Sequence, residues 1–373
     1  MYSPYITMTE PNTPSTLSIK YVPALDGLRG VAILLVITYH YFGSYSSFFS
    51  LGWAGVDLFF VLSGFLITKR LIDNKDKKNR YAIFYINRVL RIFPLYYAVL
   101  ILFYAAIFFL VSHDNFHRFD WYLKNWPYFF LFLENWVFLR YVPIEKHLCH
   151  FWSLAVEEQF YLLWPWALYK FYSSPYLKRS LWIVVTIICF ARLIVYYFNI
   201  HEGNDGGLYY YSNTIWRMDS FIIGALTYFL LQKQQNKLLA GWLFFASLLI
   251  LIAGVILAND ISTDSRFFGT IGFTALALLF MSVIYFIITA PNSFFSRFFK
   301  LSFLVKTGKI SYGLYIFHWL VLITVGPKLS ALLKNTFPES SSLVSAFICL
   351  LISYLLSFLS YNYYESYFLK QKK

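Results

Sequence analysis

The hydrophobic positions of this chain neither alternate nor form a one-sided stripe. They come in long runs of about twenty residues, the length a helix needs to cross the hydrocarbon core of a bilayer. Ten runs are found, at 30–49, 53–72, 92–111, 152–172, 180–199, 215–232, 238–258, 267–289, 309–333 and 342–364. A weaker stretch, 122–139, is interrupted by Lys124, Pro127 and Glu134. The pattern predicts an all-α polytopic membrane protein, with about ten transmembrane helices in one bundle. Residues 1–23 read as a disordered cytoplasmic leader, since the polar, Pro/Thr-rich start has neither the basic nor the apolar region of a cleaved signal. Residues 24–369 form the membrane domain.

Composition agrees. Hydrophobic residues make up 59% of the 373 positions and charged residues 13%, against about half and about a quarter in soluble domains. Aromatic residues reach 23%, and many flank the apolar runs as interfacial belts do. The net charge of +13 would point to nucleic acid in a soluble chain. Here it is explained by basic cytoplasmic loops, and no nucleic-acid partner is expected. With both termini inside and 122–139 not crossing, 22 of the 31 Lys and Arg residues fall on the cytoplasmic side. If 122–139 crossed, the Lys-rich tail and the 297–309 loop would face outward, against the positive-inside rule. Residues 122–139 are therefore expected to be a re-entrant or surface element. Cys149, Cys189 and Cys349 are scattered without a C-x-x-C pair, and no H-E-x-x-H spacing occurs, so no metal or disulfide framework is expected.

Polar groups inside the spans cost about 2.5–3.5 kcal/mol each on insertion scales, which makes them candidates for function. His40 is expected near mid-depth in the first span. Arg29, eleven residues earlier, shares its helix face if the helix begins early enough, about 16 Å away. A bland reading stands beside this one: an imidazole bonded to a neighbouring helix, and an arginine anchoring the cytoplasmic end. The second span carries Asp57, and Ser63 with Gly64 at mid-depth. Arg88 and Arg91 are spaced to face the same way just before the third span. They suit either a phosphate, which guanidinium forks bind well, or lipid headgroups. Arg217 and Asp219 open the sixth span, and His318 lies near mid-depth in the ninth. The stretch HFWSLAVEEQFYLLWP (150–165) places Glu157 and Glu158 at the head of an otherwise apolar run. Acids in a first helical turn suit the helix dipole, with Ser153 as an N-cap. They also suit the hydroxyls of an acceptor.

Seven stretches, in order, resemble the acyltransferase-3 family of integral-membrane O-acyltransferases: ALDGLRGVAILLVITYH, GVDLFFVLSGFLIT, RVLRIFPLYY, HFWSLAVEEQFYLLWP, RMDSFIIGAL, GKISYGLYIFHW and YNYYESYF. Together they cover residue 24 to about 368. The resemblance implies an enzyme of the bacterial cytoplasmic (inner) membrane. It takes acetyl from cytosolic acetyl-CoA and delivers it to a hydroxyl of an envelope or surface glycan, or of a lipid-linked saccharide such as a lipopolysaccharide O-antigen precursor. It implies an essential histidine at His40, with Arg29, Arg88 and Arg91 holding the donor. Many relatives carry a fused esterase-like domain, which is not expected here. A homo-oligomer is left open.

In the mechanism this predicts, His40 is general base on the acceptor hydroxyl and Asp57 orients a histidine tautomer. Ser63 is a candidate acyl carrier, and backbone N–H groups near Ser63 and Gly64 are candidate oxyanion donors. Glu157, Glu158, Arg217, Asp219 and His318 are candidates for handling the acceptor. The rival function is a proton-coupled transporter, which also uses intramembrane His, Asp and Glu. Its usual inverted repeat is not visible. A non-catalytic scaffold is a third class.

Overall fold

The computed structural model describes residues 21–111, 117–139, 143, 145–198, 206–233, 236–263 and 265–372. Most of the leader, and the loop residues His113 and His201, lie outside the described residues. All ten apolar runs are helical, and no strand occurs among the described residues. The helices include α1 (Pro23–Phe42), α2 (Ala54–Asp73), α3 (Arg80–Leu110), α4 (Asp120–Phe130), α5 (Glu134–Phe138), α6 (Trp152–Phe171), α7 (Leu177–Tyr197), α8 (Thr214–Lys233), α9 (Lys237–Ala258), α10 (Phe273–Thr289), α11 (Ser302–Lys309), α12 (Ser311–Leu333), α13 (Ser341–Leu359) and α14 (Ser366–Leu369). A π-helical turn leads into α10, and another joins α13 to α14.

Three expectations need correction. Eight helices among the described residues, not ten, are long and apolar enough to cross a membrane. The other two, α6 and α8, are 20 residues long. The polar residues in them, including Glu157, Glu158 and Gln159 in α6 and Arg217 and Asp219 in α8, leave them less apolar than the eight. Second, α1 starts at Pro23, which suits a helical first position because its missing N–H has no partner there to lose. Arg29 therefore lies inside α1, and His40 sits in its last turn. Third, Arg88 and Arg91 do not precede the third long helix but lie within it. Helix α3 begins at Arg80, so Arg88 and Arg91 lie about 12 and 16 Å along it.

Stretch 122–139 forms two short helices, α4 and α5, neither long enough to cross. Phe132 between them takes a left-handed φ of 53°. The polar side chains here are tied down. Gln159 donates to the Phe132 carbonyl (2.8 Å) and to Asn135 (2.9 Å), and Thr214 donates to Gln159 (2.6 Å). Glu134 is fully buried, and burial holds its carboxyl well above the ordinary range.

Helices α2 and α8 touch backbone to backbone. A Cβ on Gly64 would stand 2.0 Å from the Phe221 carbonyl oxygen, and one on Gly224 2.1 Å from that of Val61. Small residues permit this approach, which supplies packing where lipid offers no hydrophobic drive. Gly64→Ala should therefore force the two helices apart and cost about 1–3 kcal/mol. Gly241→Ala, at a position with nothing within 4 Å, should leave the melting temperature unchanged or raise it. Equal melting temperatures of the two variants in detergent would refute this account of the α2–α8 contact.

Candidate functional site

Four of the intramembrane charges pair with one another. Asp57 on α2 accepts from Arg217 on α8, and both side chains are completely enclosed. Arg217 also lies against the Phe273 ring, 4.1 Å from its centroid. Asp219 accepts from Arg192 on α7 at 2.7 Å and from Thr274 on α10 at 2.6 Å. Arg192 also donates to the Trp216 carbonyl at 3.0 Å. A bilayer core has no water to solvate such groups, so each needs a partner within the protein. These contacts overturn two expectations. Asp57 orients no histidine, because its carboxylate is held by a guanidinium. Arg217 and Asp219 handle no acceptor, because neither has any exposed surface. Tyr211 stacks on Phe273 and packs on Trp152 beside Arg217.

The histidines form a second centre. His40 Nδ1 lies 2.9 Å from His318 Nε2. His318 Nδ1 faces the carbonyl oxygens of Leu314 (3.0 Å) and Tyr315 (2.8 Å). Carbonyls only accept, so His318 Nδ1 carries the proton and its Nε2 is the lone-pair nitrogen. His40 Nδ1 must then be the donor to it. That assigns the tautomer of both rings and leaves the lone pair of His40 on Nε2. The Trp319 ring packs on His40 with centroids 4.7 Å apart. Tyr41 donates to the His318 carbonyl at 2.7 Å. His318 is thus the partner that positions His40, not an acceptor ligand.

His150 joins this centre, although nothing in its loop position pointed there. Its ring stands edge-on to His318, 5.5 Å between centroids. Its Nε2 faces the Ile316 carbonyl at 3.2 Å, and its buried Nδ1 has no partner among the described residues. The signal missed was local. His150 lies in the 3-10 turn that leads into α6, two residues before Trp152, and a buried helix entry needs polar groups to close it.

The arginines form a third centre. Arg29, Arg88 and Arg91 line one cavity, partly open to solvent, together with Ser63, Glu157 and Tyr312. Among the described residues none of the three makes a hydrogen bond or ion pair, although Arg88 stacks on Tyr161, 4.7 Å from its centroid. Glu157 is the acid in this wall, and its carboxylate already accepts from both Ser63 and Tyr161. The cavity therefore keeps a net positive charge, which suits a phosphate. Of the two acids that α6 carries, geometry selects Glu157. Glu158 does not line the cavity, and its Oε1 is buried without a partner among the described residues. Glu157 lies in the second turn of α6, beyond the first-turn dipole position.

Ser63 sits with Glu157 and Tyr161 and has no contact with either histidine. It lies in the middle of α2, so the N–H groups of Ser63 and Gly64 are spent on helical bonds and cannot cradle an oxyanion. His40 and Arg29 do not share one open wall either. The cavity ends at Ser153 and Tyr315. There the Tyr315 hydroxyl donates to the His150 carbonyl at 2.6 Å and accepts from Ser153 at 2.5 Å. Among the described residues no group of His, Cys, Asp and Glu is arranged to hold a metal ion.

A sequence profile described as an acyltransferase domain matches residues 22–362. The chain is 28% identical to a peptidoglycan O-acetyltransferase, OatA, of Listeria monocytogenes over 351 residues, which is 90% of this chain and 55% of that protein. It is likewise 28% identical to the O-acetyltransferase OatA of Staphylococcus aureus over 371 residues, 93% of this chain and 57% of the relative. The chain thus spans just over half the length of these relatives. No solved structure matches it.

The pairing of Asp57 with Arg217 predicts a loss of stability rather than of chemistry. Asp57→Ala leaves a buried guanidinium uncompensated and should cost about 3–5 kcal/mol. Asp57→Ala combined with Arg217→Met should recover part of that loss in melting temperature. A single variant as stable as the parent but catalytically dead would return Asp57 to the mechanism.

Proposed function

This chain belongs to the acyltransferase domain family, and on that premise we propose that it is a membrane O-acyltransferase that moves acetyl from acetyl-CoA to a hydroxyl of an envelope glycan. The arginine cavity takes the phosphates of the donor. It opens toward the cytosol of a bacterial cytoplasmic membrane, with both ends of the chain on that side, an orientation supported by the Lys and Arg distribution. The acceptor is approached from the opposite face, near the last turn of α1. One relative is named for peptidoglycan, and a glycan outside the membrane is the acceptor class that fits this arrangement. Lipopolysaccharide and its O-antigen belong to the same class.

The observation that carries the reading is the polar relay from the Leu314 and Tyr315 carbonyls through His318 to His40. It holds His40 in the tautomer with a lone pair on Nε2, which is what a general base needs. As the acceptor oxygen attacks the thioester carbonyl, its proton passes to His40 Nε2. The tetrahedral adduct collapses, the carbon–sulfur bond breaks, and the imidazolium returns the proton to the departing thiolate. His318 spreads the developing charge and prevents ring rotation, as a triad partner does. Arg29 and His40 are eleven residues apart on α1, about 16 Å of helix, comparable with an extended pantetheine arm.

A covalent variant is favoured by one contact, the Ser63 hydroxyl donating to Glu157. Glu157 would take the Ser63 proton as Oγ attacks the thioester; the carbon–sulfur bond breaks and Glu157 passes that proton to the departing thiolate. The acceptor hydroxyl would then attack the acyl-serine, its proton passing through Glu157 to the released Ser63 Oγ.

The test is mass spectrometry of envelope glycan from cells making the parent, His40→Ala, Ser63→Ala or no protein. His40→Ala should lower the acetyl increment by about 10²–10⁴-fold, the usual worth of a general base. Purified parent, but not Arg88→Ala/Arg91→Ala, should gain melting temperature with acetyl-CoA. An unchanged increment in His40→Ala would remove His40 from the chemistry. Radiolabel from acetyl-CoA retained on the parent and lost in Ser63→Ala would establish the covalent route, and its absence from the parent would eliminate it.

A further inference from the structure

A second cavity lies apart from the arginines. It is an open groove between α11 and the end of α13, and it reaches the π-helical turn at Tyr361. Phe303 of α11 lines it, as do Leu355 and Phe358 of α13. Each of these three keeps more than half of its surface exposed, at 60%, 57% and 55%, so the groove has an apolar wall that the protein leaves uncovered. Lys306 and Lys309 line the same groove. They are exposed and stand three residues apart on α11, on neighbouring parts of one helix face. Between the walls the hydroxyls of Thr307 and Tyr354 lie 3.3 Å apart. The two walls rest on different supports. Helix α13 packs on α12, and α11 packs on α1, where a Cβ on Gly30 would stand 2.2 Å from the Leu304 carbonyl oxygen.

The lining of this groove carries two cations and no acid. Neither α11, α12 nor α13 contains an aspartate or glutamate. The acids on adjoining elements are Asp26 of α1 and Glu365 of the π-helical turn, and neither lines the groove. The Asp26 carboxylate accepts from Tyr21 at 2.6 Å. Glu365 is buried and accepts from Ser360 at 3.0 Å. Among the described residues the side chains of Lys306 and Lys309 make no ion pair or hydrogen bond. Exposed apolar surface and unpaired ammonium groups thus meet in one concave place.

We propose that this groove binds one anionic phospholipid of the cytoplasmic leaflet, with its headgroup phosphate at Lys306 and Lys309 and an acyl chain along Phe303, Leu355 and Phe358. The inference uses the membrane orientation proposed above but not the donor reading. Residues 297–309 hold four Lys and Arg residues, which puts α11 at the cytoplasmic end of the bundle. Basic pockets between membrane helices on that side suit anionic headgroups. A free phosphate would leave the apolar wall uncovered, so the occupant carries a hydrocarbon chain. A zwitterionic lipid brings its own cation to the lysines, so an anionic one is preferred. The groove also adjoins the candidate site through the backbone. Lys309 and Ile310 line the groove, and Ser311 and Tyr312 line the arginine cavity, so a lipid seated here braces the turn from which one wall of that cavity begins.

The experiment is native mass spectrometry of the full chain in detergent, counting bound lipid as phosphatidylglycerol or phosphatidylcholine is added. The proteins are the parent, Lys306→Gln/Lys309→Gln, and Lys178→Gln/Arg179→Gln, which removes an exposed basic pair at the start of α7. The parent should hold one phosphatidylglycerol about tenfold or more tightly than phosphatidylcholine, as two lysines at a lipid phosphate allow. Lys306→Gln/Lys309→Gln should lose that preference and bind phosphatidylcholine as the parent does, while the α7 variant keeps it. Both pairs are exposed, so the bundle is spared in either variant. A parent without the preference, or a preference that survives in Lys306→Gln/Lys309→Gln, would overturn the site. Equal loss in the α7 variant would reduce the effect to surface charge and overturn it too. Glycerol 3-phosphate, the headgroup without its chains, should not displace the lipid at equal concentration, and displacement would show a phosphate site in place of a lipid site.

Discussion

The buried pairing of Asp57 with Arg217 and of Asp219 with Arg192 fixes α2, α7, α8 and α10 against one another. A carboxylate without a partner at this depth would cost several kcal/mol, so the helices cannot slide or rotate without exposing one. The close approach at Gly64 and Gly224 brings α2 and α8 near enough for Asp57 to reach Arg217. Packing and charge specify the same register. Ser63 then lies on the α2 face that meets Glu157 of α6, and the arginine cavity acquires that wall.

This separates two kinds of intramembrane charge. Arg192 and Arg217 have carboxylate partners and no access to solvent, and they act as fasteners. Arg29, Arg88 and Arg91 border an open cavity and make no ion pair among the described residues. Depth and residue type do not distinguish the two groups, but satisfaction does. A buried cation that the protein neutralises is explained by the fold. Cations that the protein gathers and leaves short of anions need a ligand to explain them.

The class of fold was legible because length and apolarity alone decide whether a helix can cross a bilayer, and all ten runs are helical. Helix ends were not. An apolarity window cannot see that Pro23 starts α1 seven residues early, or that α3 absorbs the basic stretch from Arg80. Spacing along one helix placed Arg88 beside Arg91 correctly, because both belong to the same helix face. It could not find the partners of Asp57, Asp219 or His40, which come from other helices up to 278 residues away. The two acids of α6 show the same limit. Sequence marks Glu157 and Glu158 as unusual, and only the neighbouring helices separate them.

The layer between the arginine cavity and the histidines bears on how such a protein avoids wasting its donor. Tyr315 lines the cavity, lies 5.6 Å from the His318 ring, and is pinned by Ser153 and the His150 carbonyl. On the donor reading proposed above, a thioester arm held by the arginines would have to displace that hydroxyl to reach His40. The bonds that hold Tyr315 are ordinary hydrogen bonds, each worth about 0.5–1.5 kcal/mol net, so binding of the donor can break them. On that reading Tyr315 would couple occupancy of the cavity to access to His40, and the His150 carbonyl is what anchors it there.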